Sequence, residues 1–293
     1  MKLFSIKKIL IPIDFSDISL VAIDHAGFLA QLFKAEIVLL HVIEKNWEQF
    51  NIIAPELRID VPSDLTNAIE KKLEETADSI RAKFGVSSIA LTATGHIFSE
   101  ILTIAKEHEV DLVVMGTHGV SGVVEFFVGS NAFKMVTLSD CPVMTVQGHS
   151  NHKGFKDILL PIDNSVHSRQ KLNHAIVLAK HFGSRLHILG LDDSTDDQEL
   201  KKFDHKLEQI EEYIKKCNLS FTRKIVRGKN QAVMTLSYAK TIDADLIIIM
   251  TDQDENITGR LMGVYAQQIV NHSQIPVLSI SPVVSETPWV HPY

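Results

Sequence analysis

Glycines cluster in a segment whose composition suits an anion-binding loop. Three of them follow the apolar run Leu112–Met115 and stand at Gly116, Gly119 and Gly122. Glycine has no Cβ and accepts positive φ, so several backbone N–H groups of such a loop can approach one anion. The spacing favours a phosphate cradle, although the same glycines would also suit a tight turn between a strand and a helix.

A helix start after these glycines adds to the same chemistry. Gly129 stands directly before a helical pattern that opens with Ser130, Asn131 and Ala132. The first N–H groups of a helix have no partner within it, and the helix dipole attracts negative charge there. The Ser130 hydroxyl can donate one more bond, and a charge-assisted bond contributes roughly 1.5–3 kcal/mol. The helix start therefore favours the cradle over a plain turn.

The loop that leaves the first apolar stretch carries a carboxylate. We call it the first loop and the glycine segment the second loop. The first loop reads Pro12-Ile13-Asp14-Phe15-Ser16. Beside phosphates a carboxylate is repulsive unless it accepts ribose hydroxyls or holds Mg²⁺, and both roles stay open for Asp14. The structural alternative is that Asp14 caps the following turn with help from Ser16. Asp163 repeats the feature, which favours the ligand role but is also compatible with a shared cap.

The elements that would position these loops occur twice in the chain. Residues 9–14 read ILIPID and residues 158–163 read ILLPID. Further matches follow at this spacing, among them His25-Ala26 with His174-Ala175, and later ones include Asp111-Leu112 with Asp245-Leu246. The second copy is the shorter, and its missing residues fall between its second strand and the helix before Asp245. An internal repeat of this kind predicts two similar domains.

Each copy alternates strands and helices. The predicted strands are Lys8–Asp14, Ile37–Val42, Ser88–Thr94, Leu112–Met115 and Val143–Val146, then Ile158–Asp163, Arg185–Leu191, Ser220–Val226, Leu246–Met250 and Val277–Ile280. The predicted helices include Ser19–Phe33, Asp64–Phe84, Ser99–His108, one from Ser130, and Asp197–Lys216. Continuously apolar strands separated by helices predict an α/β fold with two doubly wound, five-stranded parallel sheets. The predicted domains are 1–148 and 154–283, with a linker at Gly148–Gly154 and a tail at 284–293.

The motifs resemble those of the universal stress protein family. The pattern Gly116-x2-Gly119-x9-Gly129-Ser130 is similar to the nucleotide motif of its ATP-binding members, and ILIPIDFS and Cys141-Pro142-Val143 resemble its strand signatures. The resemblance implies a Rossmann-like adenine nucleotide alpha hydrolase fold, with two domains related by a pseudo-two-fold axis through their last strands.

The resemblance also assigns roles to residues. Asp14 and its neighbours would meet the ribose and adenine, Pro12 would shape the first loop, and the backbone of Val42 would pair with the base. The phosphate contacts would come from the second loop and the following helix start. The other residues of the predicted site are Ser16, Met115, Gly116, Thr117, His118, Gly119, Gly122, Gly129, Ser130, Asn131 and Ala132.

One departure from the family concerns charge. The stretch Val120–Val128 has no lysine or arginine and carries Glu125. Phosphate charge would then be met by backbone dipoles, by Mg²⁺ or by Lys134, one turn into the helix. We therefore expect modest affinity for ATP, with ADP or AMP competing well.

The second copy lacks the glycine pattern. Met250 and Gln253 align with Gly116 and Gly119, and Asn256 and Val264 align with Gly122 and Ser130. Asp252, Asp254 and Glu255 add negative charge where phosphate would sit. Gly263 is retained. We expect no nucleotide in residues 154–283.

Two other interpretations compete with a regulatory ATP-binding protein, an enzyme and a phosphorylation switch. An ATP hydrolase or nucleotidyl transferase needs cationic clamps and a positioned base, and the glycine loop offers only His118. A receiver-type phosphorylation switch needs an acidic cluster, and Asp14 stands alone in its loop. A binding protein without a catalytic residue is therefore the favoured interpretation, with slow ATP hydrolysis as the alternative.

Bulk properties exclude several other classes. A net charge of −7 with no basic stretch argues against a nucleic-acid partner. Two cysteines, Cys141 and Cys217, fit a reducing compartment rather than a disulfide framework. No stretch has the roughly 20 apolar residues of a membrane span, and the N-terminus does not read as an export signal, so we expect a cytoplasmic protein. Homodimer formation stays open.

Overall fold

The computed structural model describes residues 4–44, 63–117, 129–147, 154–194, 196–251 and 262–282. Within these residues the chain folds into ten strands, all listed here in order: β1 (Lys8–Pro12), β2 (Glu36–Glu44), β3 (Ser88–Gly95), β4 (Leu112–Gly116), β5 (Val143–Val146), β6 (Asp157–Ile162), β7 (Arg185–Asp192), β8 (Phe221–Arg227), β9 (Leu246–Met250) and β10 (Val277–Ile280).

Helices connect the strands in the described part of the chain. They are α1 (Asp17–Phe33), α2 (Ser63–Phe84), α3 (Ile97–Glu107), α4 (Ser130–Leu138), α5 (Leu172–Phe182), α6 (Asp197–Lys216), α7 (Gln231–Thr241) and α8 (Val264–His272). A 3₁₀ turn at Val166–Arg169 precedes α5. No helix in these residues is long and apolar enough to cross a membrane.

The strands form one mixed sheet built from two parallel halves. The strand order is β3-β2-β1-β4-β5-β10-β9-β6-β7-β8. Strands β1 to β5 pair in parallel, as do β6 to β10, and the halves meet where β5 and β10 run antiparallel. The predicted pair of five-stranded parallel sheets is confirmed, and so is the predicted contact between the last strands.

Helices cover both faces of this sheet, which explains why the strands are apolar on both sides. One buried cluster includes Ile11, Leu39 and Leu160, and the other includes Leu10, Leu40 and Leu159. Alternate residues of one strand thus enter opposite cores, as the pleat requires. The continuous apolar runs of the sequence are the direct consequence.

Matching carboxylates in the two halves anchor the start of the central strands. Asp111 accepts the N–H groups of Lys7 and Lys8 at 2.7 and 3.0 Å. Asp245 accepts those of Lys156 and Asp157 at 2.7 and 2.9 Å. The repeated Asp-Leu pair of the sequence therefore has a structural cause.

Aromatic side chains join the two halves beside the β5–β10 junction. Phe28 stacks on Phe182 with ring centroids 5.8 Å apart. Phe33 lies 4.2 Å from the His181 ring, and Phe4 lies 4.2 Å from the His174 ring. Helices α1 and α5, which carry most of these rings, consequently pack as a symmetric pair over the junction.

Element limits differ from expectation mainly at helix starts. Helix α1 begins at Asp17 because Ser16 is its N-cap and accepts the Ser19 N–H. Helix α3 begins at Ile97, two residues before the predicted start. The predicted domain limits stay predictions, and the linker before Gly154 and the tail lie outside the described residues.

Candidate functional site

The strand order creates a crevice in each half of the sheet. In the first half the chain runs from β1 outward to β2 and β3, and then returns to the other side of β1 as β4. In open α/β sheets ligands bind at such a switch point, beyond the carboxyl ends of the strands. The loops that follow β1 and β4 are the two loops singled out in the sequence.

The loop after β1 is a closed turn built on Asp14. Its Oδ1 accepts the Ser16 N–H at 3.0 Å and the Ser16 hydroxyl at 2.6 Å. Phe15, between them, has φ of 62°, in the left-handed region. The cap proposed as the structural alternative is therefore present. It uses one oxygen of the Asp14 carboxylate, so the ligand role of Asp14 stays a prediction.

Ser16 is more fully committed to the fold than the sequence suggested. Its hydroxyl donates to Asp14 and accepts the Ser19 N–H at 3.3 Å. Its carbonyl accepts the Ser19 hydroxyl at 2.8 Å. The predicted ligand contact of Ser16 is untested, and the side chain already has two structural partners.

His41, a residue that the sequence reading missed, holds the same loop from β2. Its Nδ1 lies 2.8 Å from the Ile13 carbonyl oxygen, and its ring centroid lies 5.1 Å from that of Phe15. On the far side, the Lys72 ammonium stands 4.3 Å above the Phe15 ring. These contacts place the first loop against β2 and α2. The repeat comparison could have flagged His41, because Gly190 stands at its position in the second copy.

The backbone of Val42 faces the crevice. The pairing of β1 with β2 ends at Pro12 and Leu40, whereas β2 pairs with β3 as far as Glu44. Ile37 donates to β3, so even-numbered residues of β2 turn their N–H and C=O groups toward β1. At Val42 the neighbouring strand has already ended, and no described residue bonds its N–H or C=O. A planar base edge could pair there.

The loop after β4 is fixed at both of its ends. Thr117 is buried and donates its N–H to the Val146 carbonyl at 3.0 Å, and its own carbonyl accepts the Gly129 N–H at 2.7 Å. Met115 and Gly116 belong to β4. Gly116 therefore has strand backbone and does not use the positive φ that glycine permits, and its predicted ligand contact stays a prediction. His118, Gly119 and Gly122 lie outside the described residues, as does Glu125.

The start of α4 is open to an anion. Gly129 is its N-cap, and no side chain among the described residues caps the helix. The first N–H groups of α4, at Ser130, Asn131 and Ala132, thus lack the acceptor that Ser16 provides for α1. Lys134, named as a source of charge, lies with its ammonium 5.9 Å from the Phe98 ring centroid. At the start of α4, the described groups that could contact an anion are backbone N–H groups rather than cationic side chains.

The second half repeats this framework. Asp163 accepts the N–H and hydroxyl of Ser165 at 3.0 and 2.7 Å, and Thr251 accepts the Gly263 N–H at 3.0 Å. Gly263 is the N-cap of α8, again without a side-chain cap. The two crevices therefore share their turn and their helix start.

Two lysines lie close to the loop after β6 in the second half. Lys206 donates to the carbonyls of Asp163 and Ser165 at 2.7 and 2.8 Å. Lys171 is buried at the position of Ala22 in the first copy, with its Nζ 3.5 Å from the Ser168 hydroxyl oxygen. Burial lowers the pKa of both lysines to about 8, with the Asp163 charge opposing the shift. Burial alone would raise the pKa of Asp163, but the Lys171 charge and the Ser165 bonds hold it below its usual range.

A tyrosine occupies the helix start of the second half. Tyr265, at the position of Asn131, is buried, and its hydroxyl lies 3.1 Å from the Thr235 hydroxyl. Burial raises the pKa of Tyr265, and the Asp163 charge adds to that effect. The phenol thus lies close enough to the end of β6 to sense its carboxylate. Aligning the copies beyond the glycines, at positions 22 and 131, would have revealed both Lys171 and Tyr265.

The described residues contain no group of three or more His, Cys, Asp or Glu side chains arranged to hold a metal. A Mg²⁺ ion at the first crevice would have only Asp14 among the predicted ligands. The nucleotide itself would have to supply the remaining oxygen ligands. Of the features expected to bind phosphate, the start of α4 lies within the described residues, and its role stays a prediction.

A tandem α/β protein with a switch-point crevice in each half is the class that this fold and site define. The family model described as "Universal stress protein family" matches residues 5–147 and 154–281. The chain belongs to the universal stress protein family, with two copies of its domain.

Relatives match one domain at a time. Universal stress protein YxiE of Bacillus subtilis (strain 168) is 36% identical over 148 residues, which are 48% of this chain and 98% of that protein. Universal stress protein MJ0531 of Methanocaldococcus jannaschii is 31% identical over 151 residues, 48% of this chain and 82% of that protein.

The tandem arrangement has a structural counterpart. A universal stress protein from Archaeoglobus fulgidus DSM 4304 superimposes with a TM-score of 0.76, covering 95% of this chain and 97% of that one. Its sequence identity is 21%, so the likeness concerns the fold.

Proposed function

We propose that the first repeat binds one adenine nucleotide and that the second repeat binds none. ATP is the proposed ligand, with ADP and AMP as competitors, and occupancy would serve a regulatory role in a stress response. The observation that carries the proposal is the start of α4, which no described side chain caps and which follows β4, the strand on the other side of β1 from β2.

The base and phosphate ends of such a ligand would meet different kinds of group. The Val42 N–H and C=O suit the donor and acceptor edge of adenine. The N–H groups of Ser130, Asn131 and Ala132 suit phosphate oxygens through hydrogen bonds and the helix dipole. This division relies on backbone groups, so it fits a site without a nearby arginine.

The second repeat has the same helix start but a different interior. Tyr265 is buried where Asn131 is half-buried, and Lys206 donates hydrogen bonds to the loop carbonyls of Asp163 and Ser165. A ligand there would have to displace a buried side chain and compete with two hydrogen bonds. This supports a single nucleotide per chain.

The proposal is tested by releasing the bound ligand. Purified protein is denatured and the small molecules are identified and counted by mass spectrometry, before and after incubation with Mg-ATP. We expect close to one adenine nucleotide per chain. Two per chain would overturn the claim about the second repeat, and none under either condition would overturn the proposal.

A matched pair of variants locates the site. Gly129→Asp places a carboxylate at the N-cap of α4, where it bonds the helix N–H groups and repels phosphate while supporting the helix. We expect at least ~100-fold weaker ATP binding by isothermal titration calorimetry, because two or three phosphate bonds are lost. Gly263→Asp makes the same change at α8 and should leave affinity and stoichiometry unchanged. Equal losses in both variants would contradict the assignment.

A further inference from the structure

Three polar side chains form a hydrogen-bonded chain on one face of the second half of the sheet. Nε2 of His187 lies 2.7 Å from the Asp157 Oδ1, and its Nδ1 lies 2.7 Å from the Thr222 hydroxyl oxygen. Asp157 is the first residue of β6, and His187 and Thr222 lie near the starts of β7 and β8. The three side chains therefore lie at the edge of the sheet opposite the two crevices.

The carboxylate determines where the protons of this chain lie. An ionised carboxylate accepts hydrogen bonds and cannot donate them, so Nε2 of His187 carries the proton that faces Asp157. Nδ1 of the neutral imidazole is then an acceptor, and the Thr222 hydroxyl donates to it. A hydroxyl that donates to an imidazole held by a carboxylate has the geometry of a nucleophile, a general base and an orienting group.

The first half of the sheet shows that the fold does not require this polar chain. Its equivalent positions, given by the repeat and by the strand register, hold Lys8, Val38 and Ile89. Val38 is fully buried, and the Lys8 ammonium donates to the His108 carbonyl at 3.0 Å. A buried imidazole costs free energy unless its nitrogens are bonded. The second half thus has a polar chain where apolar packing is sufficient in the first.

The hydroxyl end of the chain is open to solvent and the imidazole is not. Thr222 is exposed on β8, an outer strand of the sheet, whereas His187 is 5% exposed. Lys224 is exposed on the same face of β8, two positions after Thr222, with its ammonium 4.9 Å from the Tyr238 ring centroid. A rise of about 3.3 Å per residue puts the two residues roughly 7 Å apart along the strand. An anionic group beside Thr222 would therefore meet a cation.

We propose that Thr222 is a site of acylation by small acyl phosphates, with His187 as the general base and Asp157 as a positioning residue. The Thr222 Oγ1 attacks the acyl carbon while its proton passes to Nδ1 of His187, and Asp157 stabilises the imidazolium. The bond between the acyl carbon and the phosphate oxygen breaks, and phosphate leaves with the electron pair. The imidazolium gives its proton to the departing phosphate, so the products are an acyl-threonine ester and hydrogen phosphate. Lys224 attracts the phosphate group of the donor.

The test is labelling of the full chain with acetyl phosphate, quenched in acid at early times and followed by digestion and mass spectrometry. Lysine amines also react, but alkaline hydroxylamine removes an acetyl group from a threonine ester and not from a lysine amide. Thr94, an exposed threonine of β3, is the internal control. We expect hydroxylamine-sensitive acetylation at Thr222 to be at least ~10-fold faster than at Thr94. Equal rates, or no label on Thr222, would overturn the proposal.

Variants of the nucleophile and the base separate their roles. Thr222→Val should abolish the label, and Thr222→Ser should retain it. His187→Val introduces the residue that the first half has in this position, Val38, so it removes the base and keeps an apolar core. We expect it to slow labelling of Thr222 at least ~10-fold, with circular dichroism and the thermal midpoint checking the fold. Unchanged labelling in a folded His187→Val protein would contradict the role of His187.

The positioning role of Asp157 is read from the ¹⁵N NMR signals of the His187 ring, which are assigned by their loss in His187→Val. The wild type should carry the ring proton on Nε2, and Asp157→Ala should lose this preference and label more slowly. A wild-type ring protonated on Nδ1 would overturn the mechanism.

The class of donor is tested at Lys224. Lys224→Gln should slow labelling by acetyl phosphate several-fold and leave labelling by the uncharged ester p-nitrophenyl acetate unchanged. Equal effects on both reagents would contradict the preference for an acyl phosphate.

Discussion

The loops after β1 and β6 have the same turn and different surroundings. Asp14 and Asp163 each bind the N–H and the hydroxyl of the serine two positions later. The first loop contacts His41 and the exposed Lys72, and the second is close to buried Lys171 and half-buried Lys206. The turn is thus a feature of the repeat, and the ligand chemistry must come from what surrounds it.

If the first repeat alone binds nucleotide, as proposed, the difference explains how the second copy keeps the framework of the fold without the site. In the first repeat a ligand would complete the hydrogen bonds at the end of the sheet. In the second, the side chains of Tyr265 and Lys206 supply partners from within the chain. Polar groups at a buried crevice need partners of one kind or the other. The second repeat should consequently depend on these side chains for stability.

The largest effect is expected at Tyr265. Tyr265→Ala removes a buried ring and leaves the Thr235 hydroxyl without its partner, which should cost about 3–4 kcal/mol. Asn131→Ala, the matched change in the first repeat, affects a half-buried side chain and should cost less than about 1 kcal/mol. Urea unfolding followed by circular dichroism gives both values. Similar losses would mean that the two helix starts are packed alike.

This contrast also shows what the sequence could predict. Continuous apolar strands and the near-exact repetition of ILIPID as ILLPID were enough for the two parallel sheets, whereas the β5–β10 junction was expected from the family resemblance. Glycine spacing was enough to locate the second loop and the open start of α4. These features depend on local pattern and on chain order, which a sequence displays directly.

The remaining features depend on distant partners. The position of Lys206 gives no sign that its ammonium reaches the carbonyls of Asp163 and Ser165, some forty residues earlier. Strand β4 extends through Gly116, one residue beyond its predicted end at Met115, so the conformational freedom of this glycine is not used. Burial of Lys171 was equally hidden, because a lysine in a helical pattern normally faces solvent. Such side chains are found by aligning the repeats and asking what replaced each core residue.

A smaller effect separates the two lysines at equivalent positions, Lys206 and Lys72. Lys206→Met removes two charge-assisted hydrogen bonds to loop carbonyls, of which that of Ser165 keeps the Ser168 N–H, and this should cost about 2–3 kcal/mol. Lys72→Met removes a cation–π contact with Phe15 at an exposed site, worth about 0.5–1 kcal/mol. The comparison is made by urea unfolding at neutral pH. A larger loss of unfolding free energy for Lys72→Met would mean that the first loop, rather than the second, depends on its lysine.

The smallest expected effect is a rise of stability with pH that the lysines of the second repeat should contribute. The folded pKa of Lys171 is about 8, below the ordinary 10.5, so between these values the unfolded chain binds the proton more tightly. The free energy of unfolding should therefore rise with pH across this window, by about 2 kcal/mol from this residue between pH 7 and 9.5. In Lys171→Met the rise should be smaller by that amount, with Lys206 still contributing. Ala22→Met, at the equivalent position of the first repeat, changes packing without adding or removing a charge and should leave the slope of the wild type intact. If wild type and Lys171→Met have the same slope in urea unfolding, the Lys171 ammonium is not buried in solution, and the second crevice is more open than its structure implies.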